Sequence, residues 1–231
     1  MKNKGFTLAE TLITLTIIGV VASMTLPSLN TNIQKAQAAP SLMKAINTLQ
    51  NALSLGMTQN NLRNLNSFAN VKDIFDNASK GPLFATLDYY NPITVSQNYL
   101  NSDGTNFSDI STNARIYTTK DGIDFILPNK GEKAINELSN MKMYGGQGFT
   151  VYIDTNGYSK NPNKLGKDTF KLIVDTKGLV IPYGSYEYAK YTSETEHTPL
   201  WKTTCNSTTV TDGAACTGSI VDNGHKVVYK Y

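Results

Sequence analysis

Glu10 is the one charged side chain in residues 6–26, FTLAETLITLTIIGVVASMTL. A carboxylate inside a membrane helix costs on the order of 2.5–3.5 kcal/mol near the centre and less near the interface. It calls for a positive partner, and the apolar stretch contains none. A cut between Gly5 and Phe6 would create one, because the new α-amino group at Phe6 lies one helical turn from Glu10. The same amine can meet Glu10 of a neighbouring chain and neutralise both charges inside a bundle of helices. The other reading is a tolerated interfacial glutamate near the end of an uncleaved anchor.

A second set of hard oxygen donors lies at Asp154, Asn156 and Asp168, in the stretch Asp154-Thr155-Asn156-Gly157-Tyr158 that continues to Asn163, Gly166 and Asp168. Oxygen donors at alternating positions suit Ca²⁺, and D-x-N-G opens many calcium loops. The twelfth position from Asp154 is Leu165, not a glutamate, so this is no EF-hand. The same side chains serve equally as Asx turns that satisfy a loop backbone.

Other chemistry is poorly supplied. The chain has no G-x-S-x-G, H-E-x-x-H or P-loop pattern, so no enzymatic activity is expected. Cys205 and Cys216, with His197 and His225, lack the close C-x2-4-C knuckle of a zinc site. Outside the cytoplasm the two cysteines read as a disulfide closing a short loop; inside it they read as two free thiols. Tyr183, Tyr186, Tyr188 and Tyr191, with Lys190 and Trp201, form an aromatic cluster that either stacks on bases or sugars or packs a carboxy-terminal segment onto a sheet. Only Arg63 and Arg115 are arginines, and the formal net charge is +3, so nucleic acid is not the expected main partner.

The elements that must position these groups begin with residues 6–26. Twenty-one helical residues span about 31 Å, the thickness of a bilayer's hydrocarbon core. No good A-x-A cleavage site closes the run, as it would in an ordinary signal peptide. Lys2 and Lys4 favour a cytoplasmic amino terminus, with the rest of the chain outside. Thr7, Thr11, Thr14, Thr16, Gly19, Ala22 and Ser23 supply small or hydroxyl surfaces for close helix–helix approach. Pro27 and Pro40 interrupt the helical pattern. After Pro40, Leu42, Met43, Ile46, Leu49 and Leu53 mark one helix face, with Gly56 as a plausible end. Two helices with a break satisfy this pattern as well as one long helix does. Residues 57–113 are polar, with a short helix predicted over 62–75 and a packed loop at Tyr89, Tyr90 and Pro92. Hairpins are predicted for 115–119 with 123–127 about Gly122, and for 170–174 with 179–181 about Gly178. A further strand is predicted over 149–153 and a short helix over 132–141. A long helix followed by antiparallel strands gives an α+β fold.

Lys4-Gly5-Phe6-Thr7-Leu8-Ala9-Glu10 and the apolar run after it resemble the cleavage and methylation motif of type IV pilins and type II secretion pseudopilins. The resemblance covers about the first thirty residues. It implies a leader, 1–5, ending at Gly5; a methylated terminus at Phe6; a docking glutamate at Glu10; and a helix that bends or melts at Pro27. It further implies a membrane-spanning polymerisation helix over 6–28, its continuation over 29–56 into the head, and a pilin-like head over 57–231 in which that helix packs on a small antiparallel sheet. The expected partners are other pilin or pseudopilin subunits, a prepilin peptidase, an inner-membrane platform and its ATPase. The expected place is the bacterial inner membrane and then a periplasmic or extracellular filament. The D-x-N-G-x-x-x-x-P-N-x-x-G-x-D loop also resembles a segment of pseudopilin-like heads, several of which bind calcium. A filament-displayed adhesin or DNA-uptake subunit is the alternative function.

Overall fold

In a computed structural model of the chain the described residues are 5–76, 81–83, 86, 87, 89, 93–95, 99–111, 113–132, 147–192 and 197–229. The predicted helix over 132–141, and Tyr90 and Pro92, lie outside them apart from Glu132. The chain divides into two compact units, Met1–Gln37 and Ala38–Tyr231.

The first unit is helical. Helix α1 (Leu8–Gln59) starts in it and runs on through Pro27 and Pro40, so of the two arrangements the pattern allows, one long helix and not two with a break is the one formed. A proline inside a helix removes one N–H donor and crowds the turn before it, and the remaining ladder and packing can carry the helix past it. The large apolar side chains between Phe6 and Ile33 are exposed, Phe6 at 88% and Leu8 at 81%. The Thr11, Thr14, Thr16 and Ser23 hydroxyls donate to carbonyls three or four residues back, at 2.7–2.9 Å. The rod thus satisfies its own hydroxyls and leaves an apolar exterior, the condition lipid imposes. By length and composition α1 is able to cross a membrane.

The second unit contains a six-stranded antiparallel meander in sequence order: β1 (Ile93–Val95), β2 (Ala114–Thr118), β3 (Asp124–Leu127), β4 (Gly148–Asp154), β5 (Thr169–Asp175) and β6 (Val180–Pro182). Gly122 at φ 83° and Gly178 at φ 78° close the two predicted hairpins, in the left-handed conformation glycine adopts without steric cost. The strand period of two sends Phe125, Leu127, Phe149, Val151, Ile153, Phe170 and Leu172 to one face. There they meet Ala38, Leu42, Ala45, Leu49 and Ala52 of α1, spaced by four and three as one helix face requires. Gly56 lies against the Pro82 backbone, where a Cβ would stand only 2.1 Å from the carbonyl oxygen. The helix predicted over 62–75 shrinks to α2 (Val71–Phe75), the part whose Val71, Ile74 and Phe75 are buried.

The opposite face of the sheet is buried too. Ile116, Ile126 and Tyr152 pack with Tyr99, Ile110, Leu165 and Ala214. They are covered by α3 (Ser108–Ser111), the loop before it and the returning carboxy-terminal segment. That segment holds α4 (Tyr186–Thr192), α5 (Trp201–Thr204) and α6 (Cys216–Asp222). Tyr191 and Tyr188 pack there with Ile173 and Ile181, and Tyr183 joins them, so most of the tyrosine cluster packs onto the sheet. His197 and His225 are exposed.

Cys205 and Cys216, both fully buried, form a disulfide with Cα atoms 5.2 Å apart. Closing a loop of about this size removes roughly 3 kcal/mol of unfolded-chain entropy. Replacing both cysteines by alanine is therefore expected to destabilise the protein by about 2–3 kcal/mol. Denaturant melts of the oxidised wild type and the double variant measure it, and equal midpoints with equal slopes would contradict it.

Candidate functional site

The processing motif sits at the start of α1. Gly5 and Phe6 precede its first turn and are exposed, and a Cβ added at Gly5 meets nothing within 4 Å. Thr7 is the residue before the helix, and Glu10 is the third residue in. The Thr7 N–H donates to Glu10 Oε2 at 2.8 Å, and the Thr7 hydroxyl donates to the same oxygen at 3.0 Å. The Glu10 N–H donates to Thr7 Oγ1 at 3.3 Å. This reciprocal pair is a capping box, which satisfies helix donors that would otherwise lie open. The pattern Thr-x-x-Glu before an apolar run is its signal in the sequence. Glu10 thus has work within its own chain. Its second oxygen, Oε1, has no partner among the described residues. Pro27 lies farther along the same helix, more than four turns beyond Glu10, and does not join the constellation.

The second constellation does assemble. Asp154 ends β4, and Asp168 precedes β5. Asp154 Oδ1 accepts the Asn156 and Gly157 N–H groups at 3.1 and 3.0 Å, and Oδ2 accepts the Tyr99 hydroxyl at 3.3 Å. Asp168 accepts Asn163 N–H at 2.9 Å, Lys164 N–H at 2.7 Å and the Asn156 amide at 3.4 Å. These are the loop-closing bonds of Asx turns.

Sequence reading missed Asp124. It stands directly across from Asp154 in the β3–β4 register, so both carboxylates share a sheet face. Asp124 and Asp154 are fully buried and Asp168 nearly so. Like charges directly opposite on neighbouring strands oppose folding. Burial, followed by the charges of Asp168 and then Asp124, pushes Asp154 up to about 8. Burial also raises Asp124, against the Thr118 hydroxyl and the Tyr158 N–H, and Asp168, against the Lys164 and Asn163 N–H groups. An aspartate opening the otherwise apolar strand DFIL is the signal that marks Asp124 in the sequence.

The arrangement has more acceptors than donors. Among the described residues, Asp124 Oδ1, Asn156 Oδ1 and Asn163 Oδ1 are buried without a hydrogen-bond partner. The two amides cannot simply turn over, because Asn163 Nδ2 donates to Tyr158 O at 2.8 Å and Asn156 Nδ2 to Asp168. Buried oxygens short of donors suit a hard cation, so the donor types fit calcium. Among the described residues, however, no three acidic, imidazole or thiol side chains come together as a metal centre. Any such site would draw on the asparagine carbonyls.

Residues 1–26 match the family model described as the prokaryotic N-terminal methylation motif. No curated protein and no solved structure matches the chain. The α+β layout, a long amino-terminal helix and an antiparallel sheet, is pilin-like. Its first 26 residues thus carry the prepilin-type signal of type IV pilins and pseudopilins.

Proposed function

We propose that this chain is a structural subunit of a type IV pilus or a type II secretion pseudopilus, assembled through the apolar part of α1. The observation that carries the reading is the methylation motif leading into an exposed apolar helix. Prepilin peptidase cuts after Gly5 and methylates Phe6. Lys2 and Lys4 hold the leader in the cytoplasm, so the second unit stands outside the inner membrane. Once drawn from lipid, an apolar rod is stable in water only when other rods bury it, so extraction and polymerisation are coupled. An inner-membrane platform and a cytoplasmic ATPase supply that work.

Glu10 has two successive roles in this scheme. It caps its own helix, and its free oxygen meets the Phe6 amine of a neighbour. A glutamine separates the two, because it can still take part in a capping box but carries no charge. The Glu10→Gln chain is expected to insert and be trimmed normally while filament yield falls about tenfold or more, equivalent to about 1.4 kcal/mol per contact. Immunoblots of sheared filaments against total mature subunit give the ratio. Wild-type yield from Glu10→Gln would leave capping as the sole role of Glu10.

A specific observation favours a calcium ion in the β4–β5 loop: the three donor-starved oxygens of Asp124, Asn156 and Asn163. We propose that Asp154, Asn156 and Asp168, with the Asn163 carbonyl, hold it, and that Asp124 adds its charge from across the strands. The ion supplies the positive charge that the buried carboxylates lack.

A further inference from the structure

The dipeptide Asn-Gly occurs twice in the chain, at Asn156-Gly157 and at Asn223-Gly224. It carries a reactivity of its own. The glycine nitrogen, once deprotonated, can attack the asparagine side-chain carbonyl carbon, because no Cβ on the glycine crowds the approach. A bond forms between that nitrogen and Cγ, the Cγ–Nδ2 bond breaks, and ammonia leaves with the proton. Water then opens the cyclic imide at either carbonyl and leaves aspartate or isoaspartate. The attack requires a side-chain amide that can rotate, a glycine N–H that is free, and access of water to both.

The fold gives the two sites opposite circumstances. Gly157 is buried, and its N–H donates to Asp154 Oδ1 at 3.0 Å. The Asn156 N–H donates to the same oxygen at 3.1 Å, and the Asn156 amide Nδ2 donates to Asp168 Oδ2 at 3.4 Å. The attacking nitrogen and the leaving group are thus both tied down. Deprotonating an N–H that faces a carboxylate is costly besides. Asn223, by contrast, is the residue at which α6 ends, and Gly224, His225 and Lys226 after it are exposed. Among the described residues the Gly224 N–H donates no hydrogen bond. A Cβ built at Gly224 meets nothing within 4 Å, so the backbone there is open to solvent. One bond restrains the amide: Asn223 Nδ2 donates to Ser219 O at 2.7 Å.

We propose that Asn223 is a site of spontaneous deamidation, and that the fold protects Asn156 from the same reaction. The product puts a carboxylate at the carboxy-terminal end of α6, where the helix dipole disfavours negative charge. Its neighbour Asp222 ties that end to the other short helices, accepting the Trp201 indole N–H at 2.7 Å and the Tyr186 N–H at 2.8 Å. Isoaspartate also lengthens the backbone by a methylene ahead of Tyr229, whose buried hydroxyl donates to Gly166 O at 2.6 Å. Both asparagines lie in the second unit, and their chemistry needs neither assembly nor calcium.

Peptide mass spectrometry on the full chain, held in detergent micelles in warm, mildly alkaline buffer with a chelator, follows both sites over time. The peptide holding Asn223 is expected to exchange amide for acid, with isoaspartate identified by electron-transfer fragmentation. Its rate is expected to exceed that of the Asn156 peptide at least about tenfold, because Asn156 must first break the additional Gly157 bond and leave its buried setting. In denaturant the two rates are expected to converge. Asn223→Gln, whose longer side chain would have to close a larger ring, is expected to keep its amide. Equal rates in the folded chain overturn the proposal, as do rates that stay apart in denaturant. So does an Asn223 that keeps its amide in the folded chain while the denatured chain loses it.

Discussion

Cells making the Gly5→Leu chain are expected to accumulate a subunit that still begins at Met1, with no methylated Phe6 and no filaments. The fold has no stake in this glycine. A side chain at Gly5 meets nothing within 4 Å, and the residue precedes the first turn of α1. Leucine there leaves the helix and the sheet untouched. Any effect must come from the enzyme that reads the junction, whose site must admit the residue before the cut. The consequence for assembly follows from charge. Without the cut there is no α-amino group at Phe6, and Glu10 of a neighbour has nothing positive to meet in the apolar bundle. An uncut subunit also keeps Lys2 and Lys4 at the end that would enter that bundle, where lysine costs on the order of 2.5–3.5 kcal/mol each. Mass spectrometry of the membrane fraction checks processing, and electron microscopy checks filaments. Normal trimming of Gly5→Leu would remove the cleavage assignment. Filaments from an uncut chain would remove the role of the amine while leaving the motif in place.

What sequence made legible follows a physical division. Features set by local chemistry came through: the apolar run, the two hairpins closed by Gly122 and Gly178, and the 4,3 spacing of Leu42, Ile46, Leu49 and Leu53 that lays α1 on the sheet. Features set by distant packing did not. Pro27 and Pro40 left one long helix and two shorter ones equally open in the local pattern, and α1 runs through both. The polar stretch 57–113 read as a connection without a role, yet its Tyr99 and Ile110 bury the second face of the sheet. That unexpected cover changes the meaning of β5. In the alternation TFKLIVD, Lys171 occupies the face opposite Phe170 and Leu172, where a lysine ordinarily meets water. The chain returning through Tyr183 and Asp212 partly covers it instead, and no local pattern announces that return. Asp124 went unnoticed for a similar reason. Its partner, Asp154, is 30 residues away in sequence, and only the strand register brings them face to face.

The acidic cluster carries the other large effect. In the presence of a chelator, the stability of the protein is expected to fall as pH rises from about 4 to about 8. Asp154 has an ordinary value of 3.8 in the unfolded chain and is pushed up to about 8 when folded. Between those values the folded state holds a proton that the unfolded state has released, so raising the pH favours unfolding. The contribution is fully present below the unfolded value and lost once the folded value is passed. Its size is on the order of a few kcal/mol. Asp154→Asn removes the titrating group while keeping an acceptor for the Asn156 and Gly157 N–H groups, and is expected to flatten the slope over this range. Calcium acts on the same imbalance from the other side. At pH 8 it meets ionised carboxylates, and at 100 times its dissociation constant it adds about 2.7 kcal/mol, a melting shift of several degrees. At pH 4 protons have already neutralised the site, and the shift is expected to vanish. Asp124→Asn is expected to weaken the calcium response, because it takes away the charge facing Asp154 across the strands. Thermal melts at the two pH values, with chelator and with excess Ca²⁺, decide both points. A flat pH profile in chelator would show that Asp154 ionises freely in the fold. A steep profile with no calcium shift at pH 8 would leave the proton as the cluster's only counter-charge.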